Sequence, residues 1–181
     1  MRELSLNVLD IAQNSIKAKA TDISIKINEN PAEDLLEITI TDNGCGMSKE
    51  LLERVKDPFA TTRTTRKVGM GISLFEAAAI QCGGKLEIES ELGKGTKLYV
   101  VFGLSSIDRA PIGDMASPMQ TLILSDPNIT YVYTHKGPEG EFVFDTSEIK
   151  KVLGDVKINS PEILNWVCEY INEGLKECKI N

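Results

Sequence analysis

An α/β fold, built as a two-layer sandwich with a mixed sheet and helices on one face, follows from three patterns in this chain. Four segments alternate apolar and polar residues with a period of two: Ile23-Ile25-Ile27, Leu36-Ile38-Ile40, Leu86-Ile88 and Leu98-Val100-Phe102. Each therefore has one apolar and one polar face, as a sheet covered on a single side requires. Residues 2 to about 19 and 72–81 carry apolar side chains at helical spacing instead, which supplies the covering layer. Gly83-Gly84 closes the second of these helices and separates it from the next alternating segment.

Taken in order, the first helix has an apolar face of Leu4, Val8 and Ile11, flanked by Leu9, Ala12 and Ile16. Asn7, Asp10, Asn14 and Lys17 form a polar stripe on its other side. Residues 28–34 are a polar turn region, so the first two strands form a hairpin. From Ser105 the character changes. Residues 106–113 read as a connector and 114–125 as a short helix, with a start or kink at Pro118. Ile129, Tyr131 and Tyr133 alternate on one side of Lys136-Gly137-Pro138-Glu139-Gly140, and Phe142 and Phe144 on the other, which is a second hairpin. Helices over 146–153 and 161–176 finish the chain; Ser160 caps the last, and Pro161 occupies its first position. The expected division is residues 1–104 as one domain and 105–181 as a small appended α/β C-terminal unit.

A chain of 181 residues can bury one good core. Its formal charge of −7 argues against a general nucleic-acid or membrane-surface binder. No apolar run approaches the length of a membrane span, and the N-terminus lacks a signal-peptide pattern, so the expectation is a cytoplasmic protein. The four cysteines, Cys45, Cys82, Cys168 and Cys178, form no C-x-x-C pair and read as free thiols, Cys45 as a small packing residue.

The segment that carries chemistry is Asp42-Asn43-Gly44-Cys45-Gly46-Met47. The alternating run from Leu36 to Ile40 leads straight into Asp42, so the acid sits where a strand ends and a glycine turn begins. Gly44 and Gly46 let backbone approach a flat ligand closely. A carboxylate there can accept a hydrogen bond from an exocyclic amine, which suits an adenine pocket. Three further blocks flank it: Asp10 and Asn14 in the first helix, Gly69-Met70-Gly71, and Gly95-Thr96. In this order the four blocks, spanning roughly residues 1–103, resemble the GHKL superfamily of ATP-binding proteins, which includes histidine kinases, anti-sigma-factor kinases, Hsp90, type II topoisomerases and MutL-type proteins.

The resemblance implies a Bergerat-type sandwich and gives roles to particular residues. Asn14 takes the place of the asparagine that holds Mg²⁺, a role its hard, neutral amide oxygen suits. Asp10, one turn earlier, replaces the usual glutamate that activates water or a substrate hydroxyl; being one methylene shorter, it departs from the commoner pattern. Asp42 and Thr96 hold adenine, the threonine through water, and Met47 packs on the base. The lid of this family corresponds to residues 57–71. Its Arg63, Arg66 and Lys67 concentrate positive charge in an acidic protein, and Gly69 and Gly71 open a helix whose N–H groups can meet phosphate. Phe59 reads as core at the lid base, and Ile72-Ser73-Leu74 replaces the commoner Gly-Leu-Gly-Leu ending.

The only histidine, His135, falls in the second hairpin and reads as a surface turn residue, so a phosphoacceptor-histidine helix is missing. The length leaves no room for the further domains of topoisomerases, Hsp90 or MutL. Two functions remain. One is a kinase using Mg²⁺ and ATP that passes the γ-phosphate to a separate regulatory protein. The other is an ATP-gated interaction module with slow ATPase activity. Either is compatible with a homodimer.

Overall fold

The computed structural model describes residues 3–56 and 70–178. The polar stripe and apolar face of the N-terminal segment produce helix α1 (Leu4–Lys17), which buries Leu4, Val8, Ile11 and Ala12. Strands β1 (Asp22–Asn30) and β2 (Leu35–Asp42) follow as the expected antiparallel hairpin, with Ile25 opposite Ile40 and Ile27 opposite Ile38. Helices α2 (Lys49–Lys56) and α3 (Met70–Gln81) then precede β3 (Lys85–Glu91) and β4 (Gly95–Gly103). The chain continues through α4 (Ala116–Ser125), β5 (Thr130–Lys136), β6 (Glu141–Asp145), α5 (Thr146–Leu153) and α6 (Pro161–Glu177).

The six strands form one mixed sheet in the order β3-β4-β2-β1-β5-β6. All neighbours are antiparallel except β1 and β5, which run parallel with Ile25 opposite Tyr133. The alternation seen in the sequence dictates the layering. Ile23, Ile25 and Ile27, Leu36, Ile38 and Ile40, and Leu98, Val100 and Phe102 all fall on one face and are buried there. Tyr131, Tyr133, Phe142 and Phe144 join the same face by register. Helices α1 and α3 contact this face, and α4 packs on α1 and α6. Each such buried side chain contributes roughly 1.5–3 kcal/mol of transfer free energy.

Residues 105–181 attach to the rest through the sheet itself, since the β5–β6 hairpin extends it beyond β1. The connector also reaches back to the first helix: Leu4 and Ser5 donate their backbone N–H groups to the carbonyls of Pro111 and Ile112, at 2.9 Å each. Two donors that a helix start leaves without intrahelical partners are thereby satisfied.

Three features differ from the sequence reading. Helix α2 was not expected: it is short and highly charged, burying only Val55. Its signal was Ser48, whose Oγ accepts from the backbone N–H of Leu51 at 3.2 Å, as an N-cap does. Ser160 stands at the N-cap position of α6, but its hydroxyl is buried without a hydrogen-bond partner among the described residues. His135 is not a surface turn residue. It lies on β5, 2% exposed, with Nδ1 2.7 Å from the Tyr133 hydroxyl and Nε2 2.7 Å from Glu29 Oε1.

Candidate functional site

Strand β2 ends at Asp42, and the turn that follows is held from several sides. Asn43 binds back to the start of β1: its Oδ1 accepts from the backbone N–H groups of Thr21 (2.8 Å) and Asp22 (3.0 Å). Cys45 donates its backbone N–H to the Ala18 carbonyl at 2.8 Å, tying the turn to the end of α1. Gly46 has φ of +66°, and a Cβ there would come within 2.0 Å of the Glu91 carbonyl oxygen. Gly95, with φ of +106°, approaches the Asp42 carbonyl as closely. Glycine is required at both positions by conformation and by space.

These constraints aim Asp42 into a cavity of about 230 Å³ between α1 and the sheet. The expected residues Asn14, Asp42, Gly46, Met47 and Thr96 line it, and Ile11, Ile40, Ile88 and Leu98 supply apolar wall. Apolar walls with a few convergent polar groups are what a small-molecule site needs. Gly44 is buried beside it and donates its N–H to Asp42 Oδ1 at 2.9 Å. A larger cavity, about 360 Å³, adjoins at Ile72 and Ile88. None of the expected site residues lines it.

Ser15, which sequence reasoning did not single out, also lines the cavity. It is 3% exposed on the buried side of α1, and its hydroxyl donates to Asp42 Oδ2 at 2.6 Å. Both carboxylate oxygens thus accept one hydrogen bond each from the protein, fixing the plane of the group. Its signal was position: Ser15 follows Ile11 and Ala12 at helical spacing on the apolar face, where a lone hydroxyl needs a partner.

Asn14 faces the cavity half-buried, and its side chain makes no hydrogen bond among the described residues. Asp10 is exposed one turn away and likewise makes no side-chain hydrogen bond or ion pair among them. It stands against the start of α3: a Cβ added at Gly71 would lie 3.5 Å from Asp10 Cβ and 4.0 Å from Oδ2. Asp10 therefore adjoins the glycine where the expected lid ends. Thr96 lies directly opposite Asp42 in the β2–β4 register. Its hydroxyl is 2.9 Å from Ser90 Oγ, which also accepts from the Met47 backbone N–H at 2.9 Å. Cys45, expected as a packing residue, is instead exposed at the cavity rim. Arg63, Arg66, Lys67, Gly69 and Phe59 lie outside the described residues.

The arrangement presents the Asp42 and Thr96 oxygens in the cavity; the Asn14 amide, and the Asp10 carboxylate toward α3, have no hydrogen-bond partner among the described residues. Among the described residues, no helix is long and apolar enough to cross a membrane. A family model described as histidine kinase-, DNA gyrase B-, and HSP90-like ATPase matches residues 2–106. The histidine protein kinase DivJ of Caulobacter vibrioides is 34% identical over 103 residues, covering 55% of this chain and 17% of that protein. The sensor protein SrrB of Staphylococcus aureus is 36% identical over 105 residues, covering 55% of this chain and 18% of that one. The chain thus spans less than a fifth of the length of these relatives. Among solved structures, the Aquifex aeolicus MutL ATPase domain complexed with ADP aligns with a TM-score of 0.49 and 17% identity, over 81% of this chain and 66% of that one.

Proposed function

This chain belongs to the histidine kinase-, DNA gyrase B- and HSP90-like ATPases, and we propose that it binds ATP with Mg²⁺ and passes the γ-phosphate to a separate regulatory protein. The observation that carries the reading is convergence. Asp42, Thr96, Met47 and Asn14 meet at one cavity, with the Asp10 carboxylate, unpaired among the described residues, just beyond it.

In this reading the Asp42 carboxylate, held by Ser15 and Gly44, accepts from the adenine amine, and Met47 covers a face of the base. Asn14 fits as a metal ligand because its amide has no competing partner among the described residues and supplies a hard oxygen. When bound, Mg²⁺ would neutralise charge on the phosphate oxygens. Arg63, Arg66 and Lys67, with the backbone N–H groups around Gly69 and Gly71, are the residues whose chemistry would suit the outer phosphates. Asp10 orients the incoming nucleophile and, for a serine acceptor, takes its proton as the new O–P bond forms and the bond to the β-phosphate oxygen breaks. The acceptor lies on another protein. His135, the one histidine, is buried with both ring nitrogens engaged, which supports that reading.

An ATP-gated interaction module is the second reading, favoured by the hydrogen bonds of Leu4 and Ser5 to the connector. They join the helix bearing Asp10 and Asn14 to residues 105–181, so a nucleotide that moves α1 would be felt there. The deciding experiment incubates the purified protein with γ-labelled ATP and Mg²⁺, alone and with extract of the source cells. Label on one extract protein, lost with Asp42→Asn, is expected for a kinase acting in trans. Label released only as phosphate, or left as intact ATP, would overturn phosphotransfer in favour of the module.

A further inference from the structure

The proton inventory at Ser90 decides which way the Thr96 hydroxyl points. Ser90 Oγ has three neighbours at 2.9 Å: the Met47 backbone N–H, the Gly95 carbonyl oxygen and the Thr96 hydroxyl. Met47 can only donate and Gly95 can only accept. A serine hydroxyl has one proton and two lone pairs. All three contacts are satisfied together in one arrangement: Ser90 donates to Gly95, accepts from Met47 and accepts from Thr96. The Thr96 proton is then committed to Ser90, and Thr96 turns lone pairs toward the cavity.

Asp42, opposite Thr96, is also acceptor-only, with Ser15 and Gly44 already donating to its two oxygens. Asp42 and Thr96, paired across the two strands, therefore offer lone pairs and no uncommitted side-chain proton of their own. An amine brings two N–H groups to such a pair. A carbonyl oxygen brings more lone pairs and meets repulsion.

We infer that Ser90 is a specificity-determining residue: by fixing the Thr96 hydroxyl as an acceptor, it makes the site select a 6-amino purine over a 6-oxo purine. The inference rests on the nucleotide reading above and deepens it. Ser90 does this through Thr96, without contact of its own to the base.

The test measures binding of ADP and IDP, which differ in the 6-amino or 6-oxo group and the proton at N1, by calorimetry with Mg²⁺ present. Wild-type protein should prefer ADP. Ser90→Ala frees the Thr96 hydroxyl to turn and donate, so the preference should fall by about 3- to 10-fold, the worth of one hydrogen bond. Part of that fall should be a gain in IDP affinity, which mere loosening of the turn would not give. Ser90→Thr, which keeps the hydroxyl, should keep the wild-type preference. In a Thr96→Val background, Ser90→Ala should change the preference no further.

Equal weakening of ADP and IDP by Ser90→Ala would assign Ser90 a structural role and overturn the inference. A shifted preference in Ser90→Thr, or an effect of Ser90→Ala persisting with Thr96→Val, would overturn it as well. Wild-type protein that binds neither nucleotide would remove the nucleotide reading and this inference together. ADP binding with an unaltered preference in Ser90→Ala would remove the inference alone.

Discussion

Replacing Asp42 with asparagine should separate ligand binding from folding, for a reason visible at the carboxylate. Oδ1 accepts the Gly44 N–H at 2.9 Å and Oδ2 accepts the Ser15 hydroxyl at 2.6 Å. Asparagine can keep its oxygen toward Gly44 and set its amide nitrogen in the place of Oδ2. Ser15 then turns its hydroxyl and accepts, so both internal hydrogen bonds survive. The cost to stability should stay below about 1 kcal/mol, within the range of one neutral hydrogen bond. Toward the adenine amine the change is severe. A charged acceptor becomes a neutral group presenting an N–H, and loss of a charge-assisted hydrogen bond costs about 1.5–3 kcal/mol. At about 1.4 kcal/mol per tenfold, ATP affinity should fall by roughly 10- to 150-fold. Calorimetric titration with ATP and Mg²⁺, beside urea unfolding of the same variant, checks both halves. Affinity within twofold of wild type would refute the placement of the base at Asp42. A loss of stability as large as the loss of binding would show that Asp42 holds the turn instead.

Asn14→Ala should abolish the Mg²⁺ dependence of nucleotide binding while leaving unfolding nearly unchanged; titrations with and without the metal that still differ as in wild type would exclude the amide as ligand. His135→Ala should cost about 2–4 kcal/mol in urea unfolding, since the fully buried Tyr133 hydroxyl is left unsatisfied and the ring contact at 6.0 Å is lost. Combining it with Tyr133→Phe should recover part of that cost, because the orphaned hydroxyl goes too. Partial burial, then its hydrogen bond to Glu37, pushes the Tyr99 phenol up to about 12. Burial pushes Tyr131 and Tyr133 up further. A group neutral when protonated and raised in the folded state contributes stability that is complete below the unfolded value of about 10 and is lost above it. Unfolding midpoints should therefore decline from pH 10 to 12, less steeply in Tyr99→Phe, and tyrosinate absorbance should rise late relative to unfolded protein.

What the sequence made legible was whatever is written locally. The alternation of β1, β2, β3 and β4 and the apolar stripe of α1 needed only neighbours a few residues apart. Asp42 at a strand end before two glycines likewise showed its place without knowledge of the sheet. Long-range pairing was not legible. The Ile129-Tyr131-Tyr133 alternation announced a strand, yet nothing in it named β1 as a parallel partner. His135 was missed because its polarity suggested surface. The period of two that placed Tyr131 and Tyr133 inside continues onto it, and Glu29 on β1, near the end of the parallel pairing, supplies the second hydrogen bond. Ser15 and Ser90 escaped for a related reason. Each extends an apolar face, Ser90 following Leu86 and Ile88, and only the partners across the fold reveal why a hydroxyl stands there.

The hydrogen bonds from Leu4 and Ser5 to Pro111 and Ile112 also set an order of events during synthesis. The first helix leaves the ribosome early, but the carbonyls that dock its leading turn emerge more than a hundred residues later. At about 5–20 residues per second, the stretch from Asp42 to Ile112 alone takes on the order of ten seconds to translate. Throughout that interval β1 is an unpaired edge awaiting β5, a hazard for any nascent chain. A cavity whose wall is α1 thus reaches its final shape only after Pro111 and Ile112 have arrived.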